Sequence, residues 1–171
     1  MDRLVNLVGV YSLAIADRVA PDVAGRQLSG SSTAAALATL LAHPGHGVGW
    51  LADVLGLTSS GATRLVDRLL AEGLVRHGES RDARSRSLQL TERGRLKAAT
   101  ALEHRSAEIE RSLTALTAAE RKTLERLLTT VVKALARDRP SALRVCRLCD
   151  RDACAEPGQP CPLEHTTHLD A

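Results

Sequence analysis

The segment that decides the fold reads Leu57-Thr-Ser-Ser-Gly-Ala-Thr-Arg-Leu-Val-Asp-Arg-Leu-Leu-Ala-Glu-Gly-Leu-Val-Arg76. Thr58 can accept a hydrogen bond from a free backbone N–H and so start a helix, and Gly73 suits the left-handed geometry that ends one. The pattern therefore predicts a helix over residues 59–72. Its apolar residues recur at helical spacing and predict a buried stripe: Leu65, Val66, Leu69 and Leu70.

A strand, a basic turn and a second strand are predicted to follow this helix. The strands cover residues 74–78 and 86–90, and the turn between them reads Glu79-Ser-Arg-Asp-Ala-Arg84. With a short helix over residues 49–55 upstream, this order is a helix-turn-helix with a wing. Such a unit places one helix in the major groove of double-stranded DNA and its wing beside the flanking minor groove.

Upstream of that unit, the sequence predicts a helix over residues 33–42, capped by Ser31 or Ser32. A turn follows at residues 43–47, and we interpret its two histidines as solvated turn residues in preference to metal ligands. Trp50 is interpreted as a partly exposed packing residue, the alternative being a contact with a ligand or DNA. The apolar face of the 33–42 helix is predicted to contain Leu37, Leu40 and Leu41.

Apolar helical regions lie on both sides of the predicted winged unit. Leu4 begins a stripe that continues to Ile15, and Pro21 stops this helix. On the other side, capping signatures at Thr91 and at Thr117-x-x-Glu120 begin two long helices. These terminal helices either fold onto the winged unit or pack against a second copy of the chain. Because their stripes are wide for so small a domain, the homodimer is favoured.

The amino-acid composition limits the fold classes and functions that this chain can have. Hydrophobic residues make up 44% of the 171 residues and aromatic residues 1%, so a helical core of Leu, Val and Ala is expected, without aromatic stacking on single strands. The net charge of +3 says little about DNA by itself. No apolar run approaches the roughly 18 residues of a membrane span, so a cytoplasmic protein without membrane contact is predicted. Neither a phosphate loop nor a nucleophile elbow points to an enzyme.

Seven short motifs follow one another along the winged unit: Leu51-Ala52, Leu55-Gly56-Leu57, Thr63-Arg64, Asp67-Arg68-Leu69, Glu72-Gly73-Leu74-Val75, Arg81-Asp82-x-Arg84 and Leu88-x-Leu90-Thr91-x-x-Gly94. In this order and spacing, the set resembles the MarR family of bacterial regulators, which are homodimeric winged helix-turn-helix repressors. The resemblance covers about residues 1–138. It implies a mostly α fold in which N- and C-terminal dimerisation helices flank a winged helix-turn-helix with a two-stranded β-wing.

The resemblance also implies that the helix over residues 59–72 enters the major groove. The residues on its leading turns would then read bases or phosphates: Ser59, Ser60, Thr63 and Arg64. Short hydroxyl groups permit close approach, and an arginine reaches guanine or phosphate. Arg68, one turn further on, is expected to meet phosphate. The alternative is that both arginines are ordinary solvated helix residues.

In the wing, Arg84 matches the family's minor-groove arginine, whose guanidinium gains from the negative potential of a narrow A·T-rich groove. Asp82 resembles the residue that braces the wing by pairing with a nearby arginine. Ala83 stands where many members carry a basic residue, which is a departure from the pattern. Arg81 and Arg86 are expected to compensate with further DNA contacts.

All four cysteines of the chain lie within sixteen positions: Cys146, Cys149, Cys154 and Cys161. In a reducing cytoplasm, thiols this close favour one metal centre per chain over disulfides. Zinc and an iron–sulphur cluster both stay open, with His165 or His168 as alternative ligands. If the metal is zinc, the centre is predicted to be structural and to hold the tail together. If it is an iron–sulphur cluster, the centre is predicted to sense redox state. The third interpretation is a disordered tail of reduced thiols. The tail has few apolar residues, so burial alone is not expected to order it.

These patterns predict a homodimeric DNA-binding transcriptional regulator, a repressor, that reads an inverted-repeat operator. A small amphipathic effector, bound beside Tyr11 as the resemblance implies, or the cysteine-bound centre would modulate it. The rival hypothesis is a metal- or redox-sensing interaction module whose winged helix contacts proteins. The predicted regions are a dimerisation helix and connection over 1–30, the winged helix-turn-helix over 31–92, the long helices over 93–139 and a cysteine-rich tail over 140–171.

Overall fold

The computed structural model describes residues 2–19, 27–78, 86–154 and 160–168. No helix within these ranges is long and apolar enough to cross a membrane. The elements in chain order are α1 Arg3–Val19, α2 Gln27–Ala42, α3 Val48–Leu55, α4 Ser59–Ala71, β1 Val75–Gly78, β2 Ser87–Leu90, α5 Glu92–Ser112, α6 Ala118–Ala134, α7 Arg139–Val145, α8 Arg151–Cys154 and a 3-10 helix at Glu164–His168.

The winged helix-turn-helix lies in the middle of the chain, as predicted. Strands β1 and β2 pair antiparallel, with Val75 opposite Leu90 and Gly78 opposite Ser87. The predicted turn between them, residues 79–85, lies outside the described residues. The order of α3, α4 and the two strands confirms the predicted fold class, a mostly α protein with a two-stranded wing.

The hydrophobic core lies between α2, α3, α4 and the base of the wing. Leu37 and Leu40 of α2 pack in one cluster with Leu51 of α3 and Leu69 of α4, and none of the four is more than 1% exposed. Burial of large aliphatic side chains is the main stabilising contribution available to a chain so poor in aromatic residues. The prediction that Leu41 shares this face was wrong, because that side chain is 40% exposed on the flank of α2.

Side-chain caps start three helices at the predicted positions. Thr58 and Thr91 each accept a hydrogen bond from the backbone N–H three residues later, at 3.1 and 3.0 Å. Thr117 and Glu120 form the predicted reciprocal capping box at the start of α6. Each bond satisfies a backbone donor that has no partner inside its own helix.

The base of the wing is held tightly against the start of α5. Gly73 adopts a φ of 64°, and its carbonyl accepts a 2.7 Å hydrogen bond from the hydroxyl of Thr91. Gly94, in the first turn of α5, packs so closely on Leu74, the residue before β1, that an added Cβ atom would lie 1.9 Å from the Leu74 carbonyl oxygen. Glycine is therefore required at this close approach of α5 to the chain that leads into the wing.

Helix α2 starts six residues before its predicted beginning. It runs from Gln27, so Ser31 and Ser32 lie inside the helix and are not its caps. Serine in a helix interior costs only a fraction of a kcal/mol, about 0.5, relative to alanine. The capping signal at Ser31 and Ser32 therefore did not fix the start of α2.

The tail contains α7, α8 and the 3-10 helix. Pro140 lies in the first turn of α7, where its missing N–H costs nothing. Asp138 and Ser141 form a capping box around it. Ala142 of α7 and Leu163 are buried in a small second cluster. This small cluster gives α7 one apolar side that packs on the rest of the chain.

The terminal helices leave wide apolar faces uncovered within a single chain. Helix α1 packs along α5, where the Tyr11 hydroxyl and Ser112 Oγ are 3.1 Å apart and share a hydrogen bond. Leu13 of α1 is nevertheless 70% exposed and Leu135, at the end of α6, is 60% exposed. The other exposed apolar residues of these two helices are Leu4, Val5, Leu7, Val8, Val10, Leu127, Leu128 and Val131.

Candidate nucleic-acid interface and cysteine pocket

Helix α4 has one apolar face and one polar face along its length. The apolar face, including Leu65 and Leu69, is buried in the core. This packing leaves the opposite face exposed to solvent. That exposed face carries all the α4 residues that the sequence singled out: Ser59, Ser60, Thr63, Arg64 and Arg68.

The hydroxyl groups of this face also stabilise the beginning of α4. Ser60 Oγ lies 3.3 Å from Oγ1 of the capping residue Thr58, and Thr63 donates a 2.9 Å hydrogen bond to the carbonyl of Ser59. All four residues are exposed. The unpaired N–H groups and the helix dipole make such an N-terminus attractive to a phosphate group.

The two arginines of α4 differ in their surroundings. Arg68 Nη2 donates a 3.4 Å hydrogen bond to Thr33 Oγ1, so the Arg68 side chain is directed toward α2. Arg64 is exposed, and no hydrogen bond or ion pair of its side chain exists within the described part of the chain. Its guanidinium, which carries five donors, is therefore available to an external acceptor.

The wing is described only at its base. Arg86 is exposed immediately before β2, whereas the predicted residues Arg81, Asp82 and Arg84 lie outside the described residues. Arg76 on β1 is also exposed and stands opposite Gln89 in the register. The sequence analysis did not select Arg76, although its alternation with the buried Val75 was the signal for an outward-facing strand residue.

The turn before α3 fixes the base of the wing. The Gly45 backbone N–H donates to the Leu88 carbonyl at 3.1 Å, and the Leu88 N–H donates to the His46 carbonyl at 2.9 Å. The turn at residues 43–47 therefore runs beside β2 and is joined to it by these two backbone hydrogen bonds. This arrangement ties the wing to α2 and α3 as well as to α5.

Trp50 and the two turn histidines form one ring cluster. The rings of His46 and Trp50 stack at a centroid distance of 3.9 Å, and the rings of His43 and Trp50 meet edge-on at 5.7 Å. Burial, followed by the positive charge of Arg151, lowers the pKa of His43. The prediction that Trp50 is a half-buried packing residue fits this arrangement, but the histidines are held by the indole and are not simply solvated.

All four cysteines line a single cavity of about 600 Å³. One wall of the cavity is formed by Thr39, Ala42 and His43 at the end of α2 and by Val54 of α3. The four thiols are half-buried there. The structure therefore brings together side chains that the sequence spreads over sixteen positions, and it places them against the winged unit.

The thiols are close enough to influence one another. Cys149 Sγ donates a 3.4 Å hydrogen bond to the Asp150 carbonyl. The interaction between the neighbouring thiols of Cys146 and Cys149 lowers the pKa of Cys146 and, together with burial, raises that of Cys149. Burial, followed by the nearby Cys149 and Cys161, raises the pKa of Cys154 to about 12. Negative charge on several of these thiols at once would therefore be unfavourable unless a cation were bound between them.

The thiols share the cavity without converging on a common point. Among the described residues, no group of three or more His, Cys, Asp or Glu side chains is arranged to hold a metal ion. His165 is directed elsewhere, since its Nδ1 lies 3.2 Å from the carbonyl of Pro162 and its Nε2 lies 3.3 Å from that of Ala136. Binding at this position would use the cysteines, with rotation of their side chains toward one centre.

Positive side chains surround the thiols, and the sequence analysis did not select them. Arg139, Arg147 and Arg151 line the same cavity. They are scattered through the tail without periodicity, so no sequence pattern marked them. A guanidinium beside a thiol favours the thiolate form, which is the form that binds metals.

Comparison with known families identifies the winged unit. Residues 27–85 match the MarR family. No curated protein matches the chain by sequence.

Solved structures of MarR family proteins share the fold of most of the chain. One from Bacillus stearothermophilus superposes with a TM-score of 0.65 at 24% identity, over 78% of this chain and 94% of its own. A MarR family regulator of Silicibacter pomeroyi is 27% identical, with a TM-score of 0.53 over 78% of this chain and 88% of its own. A Mycobacterium tuberculosis MarR family protein in complex with salicylic acid is 25% identical, with a TM-score of 0.57 over 77% and 97%. Residues 27–85 are therefore similar to the MarR family, and the described part of the chain has the fold of solved MarR family proteins.

Proposed function

We propose that this chain is a homodimeric DNA-binding transcriptional regulator, acting as a repressor on an inverted-repeat operator. One observation carries the proposal. One face of α4 is buried in the core. The other face presents short hydroxyl groups and Arg64, whose side chain has no partner among the described residues, near the exposed beginning of the helix. A rigid helix with this polarity fits the major groove, where hydrogen-bond donors meet base edges and phosphates.

The leading turns of α4 would make the contacts that distinguish one sequence from another. Arg64 reaches guanine or phosphate, while Ser59, Ser60 and Thr63 allow close approach of the backbone. Arg68, already drawn toward α2, meets phosphate and contributes affinity with little sequence preference.

The wing would contact the DNA beside the half-site. Arg84 enters the minor groove, Asp82 braces the wing, and Arg81 and Arg86 add contacts to the phosphate backbone. These roles follow from the family resemblance of the motif and from the exposure of Arg86 at the described end of the wing. Insertion of an arginine is favoured where an A·T-rich minor groove is narrow.

Dimerisation would bury the uncovered faces of α1 and α6. Leu13 and Leu135 are more than half exposed in the single chain, and the other exposed apolar residues of the same helices are about half exposed or more. Exposed apolar patches of this extent mark interaction surfaces in soluble proteins. A two-fold homodimer presents two α4 helices to DNA, so the operator would be an inverted repeat with half-sites about one helical turn apart.

A small amphipathic effector would act at the junction of the dimer helices and the DNA-binding unit. The support is the related Mycobacterium tuberculosis protein in complex with salicylic acid. In this chain Tyr11 joins α1 to α5 through Ser112, so a ligand entering there would act on the helix packing directly. The protein would carry out this function in the cytoplasm.

The test begins by selecting operator sequences from a random duplex library with the wild-type protein. Arg64→Ala should then weaken binding to the selected duplex and relax its sequence preference, because a good arginine–base pair contributes about 1–3 kcal/mol of discrimination. Lys122→Ala is the matched control, since it also removes one positive charge but lies exposed on α6. Fluorescence anisotropy at fixed salt measures both variants. Equal affinity of the Arg64 variant and the wild type would contradict the assigned role of Arg64.

The rival function is an interaction module whose winged helix binds proteins. If no duplex sequence is enriched and binding to DNA shows no dependence on salt concentration, this rival is favoured, since contacts with phosphates always release counterions.

A further inference from the structure

We infer that the four cysteines bind one thiolate-ligated metal centre per chain, and that this centre fastens the tail to the ends of α2 and α3. The first observation is the cavity itself. Cys146, Cys149, Cys154 and Cys161 are the only cysteines of the chain, and all four line it. A shared cavity for four thiols is not expected from chance packing of a polar tail.

The chemistry of the cavity selects the class of metal. Thiolates are soft ligands and prefer zinc or iron–sulphur centres to magnesium or calcium. A metal centre bound by four thiolates keeps a net negative charge, which suits the walls formed by Arg139, Arg147 and Arg151. On binding, each cysteine exchanges its proton for a bond to the metal, and the protons are released to solvent.

The second observation is the set of hydrogen bonds between the tail and helices α2 and α3. Arg144 of α7 donates hydrogen bonds of 3.3 and 3.1 Å to the carbonyl of Asp53, near the end of α3. Thr39 of α2 donates a 3.0 Å bond to the carbonyl of Arg147. Arg151 donates a 3.4 Å bond to the carbonyl of Ala42, the last residue of α2.

Two of these bonds end on carbonyls in the last turns of α3 and α2. The last four carbonyls of a helix have no partner within the helix itself, and cations near that end interact favourably with the helix dipole. The Ala42 carbonyl accepts from Arg151, and the Asp53 carbonyl accepts from Arg144 in addition to the 3.3 Å bond from the capping N–H of Gly56. The tail therefore contacts the helix-turn-helix at the ends of the two helices that support α4.

Burial supplies little to hold the tail in this position. Within the described part of the tail, the buried residues are Ala142, Leu163 and Thr166. One alanine and one leucine bury too little apolar surface to offset the conformational entropy of ordering such a segment. A metal centre closes the segment into loops and supplies the missing free energy.

The same geometry couples the centre to DNA binding, a step that rests on the proposed function. Helix α3 packs on both α4 and α7, and the left-handed Gly56 separates α3 from the cap of α4. Releasing the tail would free the end of α3 and loosen the angle between α3 and α4. Loss of the metal centre should therefore lower operator affinity on the order of tenfold, within the range usual for coupling between two sites.

The site is tested on the full chain, purified without oxygen. Elemental analysis and the visible spectrum are expected to show either one zinc per chain in a colourless protein or iron with inorganic sulphide in a brown one. Cys149→Ser should lose the metal. Asp152→Ser, an exposed change on α8 between two of the cysteines, should retain it. Four freely titrating thiols and no bound metal in the wild type would overturn the proposal, as would full metal content in Cys149→Ser.

The coupling is tested by limited proteolysis and by operator binding. Cys149→Ser should be cut within residues 140–171 much faster than Asp152→Ser, and its operator affinity should fall. If Cys149→Ser does not fold, removal of the metal from the wild type with a chelator gives the same comparison. Equal cleavage and equal affinity with and without metal would overturn the coupling. A wild type that holds metal but binds no duplex would instead contradict the proposed function and leave the metal site supported.

Discussion

The guanidinium of Arg144 donates hydrogen bonds of 3.3 and 3.1 Å to the backbone carbonyl of Asp53, 91 positions earlier in the chain. This pair joins α7 of the tail to the end of α3, the first helix of the helix-turn-helix. Within the described part of the tail, Arg147 and Arg151 are also hydrogen-bonded to α2.

Replacing Arg144 by alanine tests how much this pair stabilises the fold. We expect Arg144→Ala to lower the free energy of unfolding by about 1 kcal/mol, the usual net contribution of a hydrogen bond. Chemical denaturation followed by circular dichroism measures the change. Arg137→Ala, an exposed arginine just before α7, is the control and should leave the unfolding free energy within about 0.5 kcal/mol of wild type. Equal stability of the two variants would show that the Asp53 pair contributes nothing.

A second prediction concerns the close approach of α5 to Leu74, the residue before β1. Gly94→Ala places a Cβ atom 1.9 Å from the Leu74 carbonyl oxygen, which is backbone and cannot rotate away. The start of α5 must therefore move away from Leu74. We expect the free energy of unfolding to fall by about 1–3 kcal/mol, as at other overpacked sites. Thermal unfolding measures this loss.

Gly49 on α3 provides the matched control for that experiment. An added Cβ atom at Gly49 meets nothing within 4 Å. Gly49→Ala should therefore be neutral or stabilise the protein by up to about 1 kcal/mol, since alanine loses less backbone entropy in a helix. If Gly94→Ala were as stable as Gly49→Ala, the close approach to Leu74 would not exist in solution.

The wing arginines should respond differently to the sequence of the DNA. Arg84→Ala is expected to weaken binding most on duplexes with A·T-rich flanks, because a narrow minor groove has the strongest negative potential. Arg86→Ala should weaken binding similarly on all flanks and reduce the salt dependence by about one unit of slope. Anisotropy titrations on two duplexes that differ only in their flanks, each at several salt concentrations, measure both effects. A flank preference that survives Arg84→Ala would exclude a minor-groove role for that residue.

Dimerisation should depend on the apolar faces of α1 and α6. Leu128 is 50% exposed in the single chain, and placing a carboxylate there in Leu128→Glu should prevent burial worth about 1.5–3 kcal/mol per protomer. Light scattering at micromolar concentration should give twice the chain mass for the wild type and a lower average mass for the variant. Lys122→Glu, on the polar side of the same helix, should stay dimeric. A wild type that is monomeric at this concentration would rule out the proposed assembly.

Local signals in the sequence determined where the winged unit begins and ends its helices. The caps Thr58, Thr91 and Thr117 each accept a hydrogen bond from the backbone N–H three residues later. Such a local bond can be predicted from the residues adjacent in sequence. The same holds for Gly56, whose left-handed φ of 65° ends α3. The periodicity of α4 likewise predicted which of its faces is buried, and the structure confirmed it. The roles of the reading residues, the wing arginines and the four-region division of the chain stay predictions.

Only the tertiary structure shows that the tail packs against α2 and α3. The bonds from Arg144 to Asp53 and from Thr39 to Arg147 join residues 91 and 108 positions apart, and both end on backbone carbonyls. Every residue has such a carbonyl, so no side-chain pattern marks the ones that will accept. The convergence of the four thiols on one cavity beside α2 likewise depends on how α7 packs. Cysteine spacing predicted a shared metal site, which stays a prediction. The position of the cysteines beside α2 and α3 follows from long-range packing, which sequence periodicity does not encode.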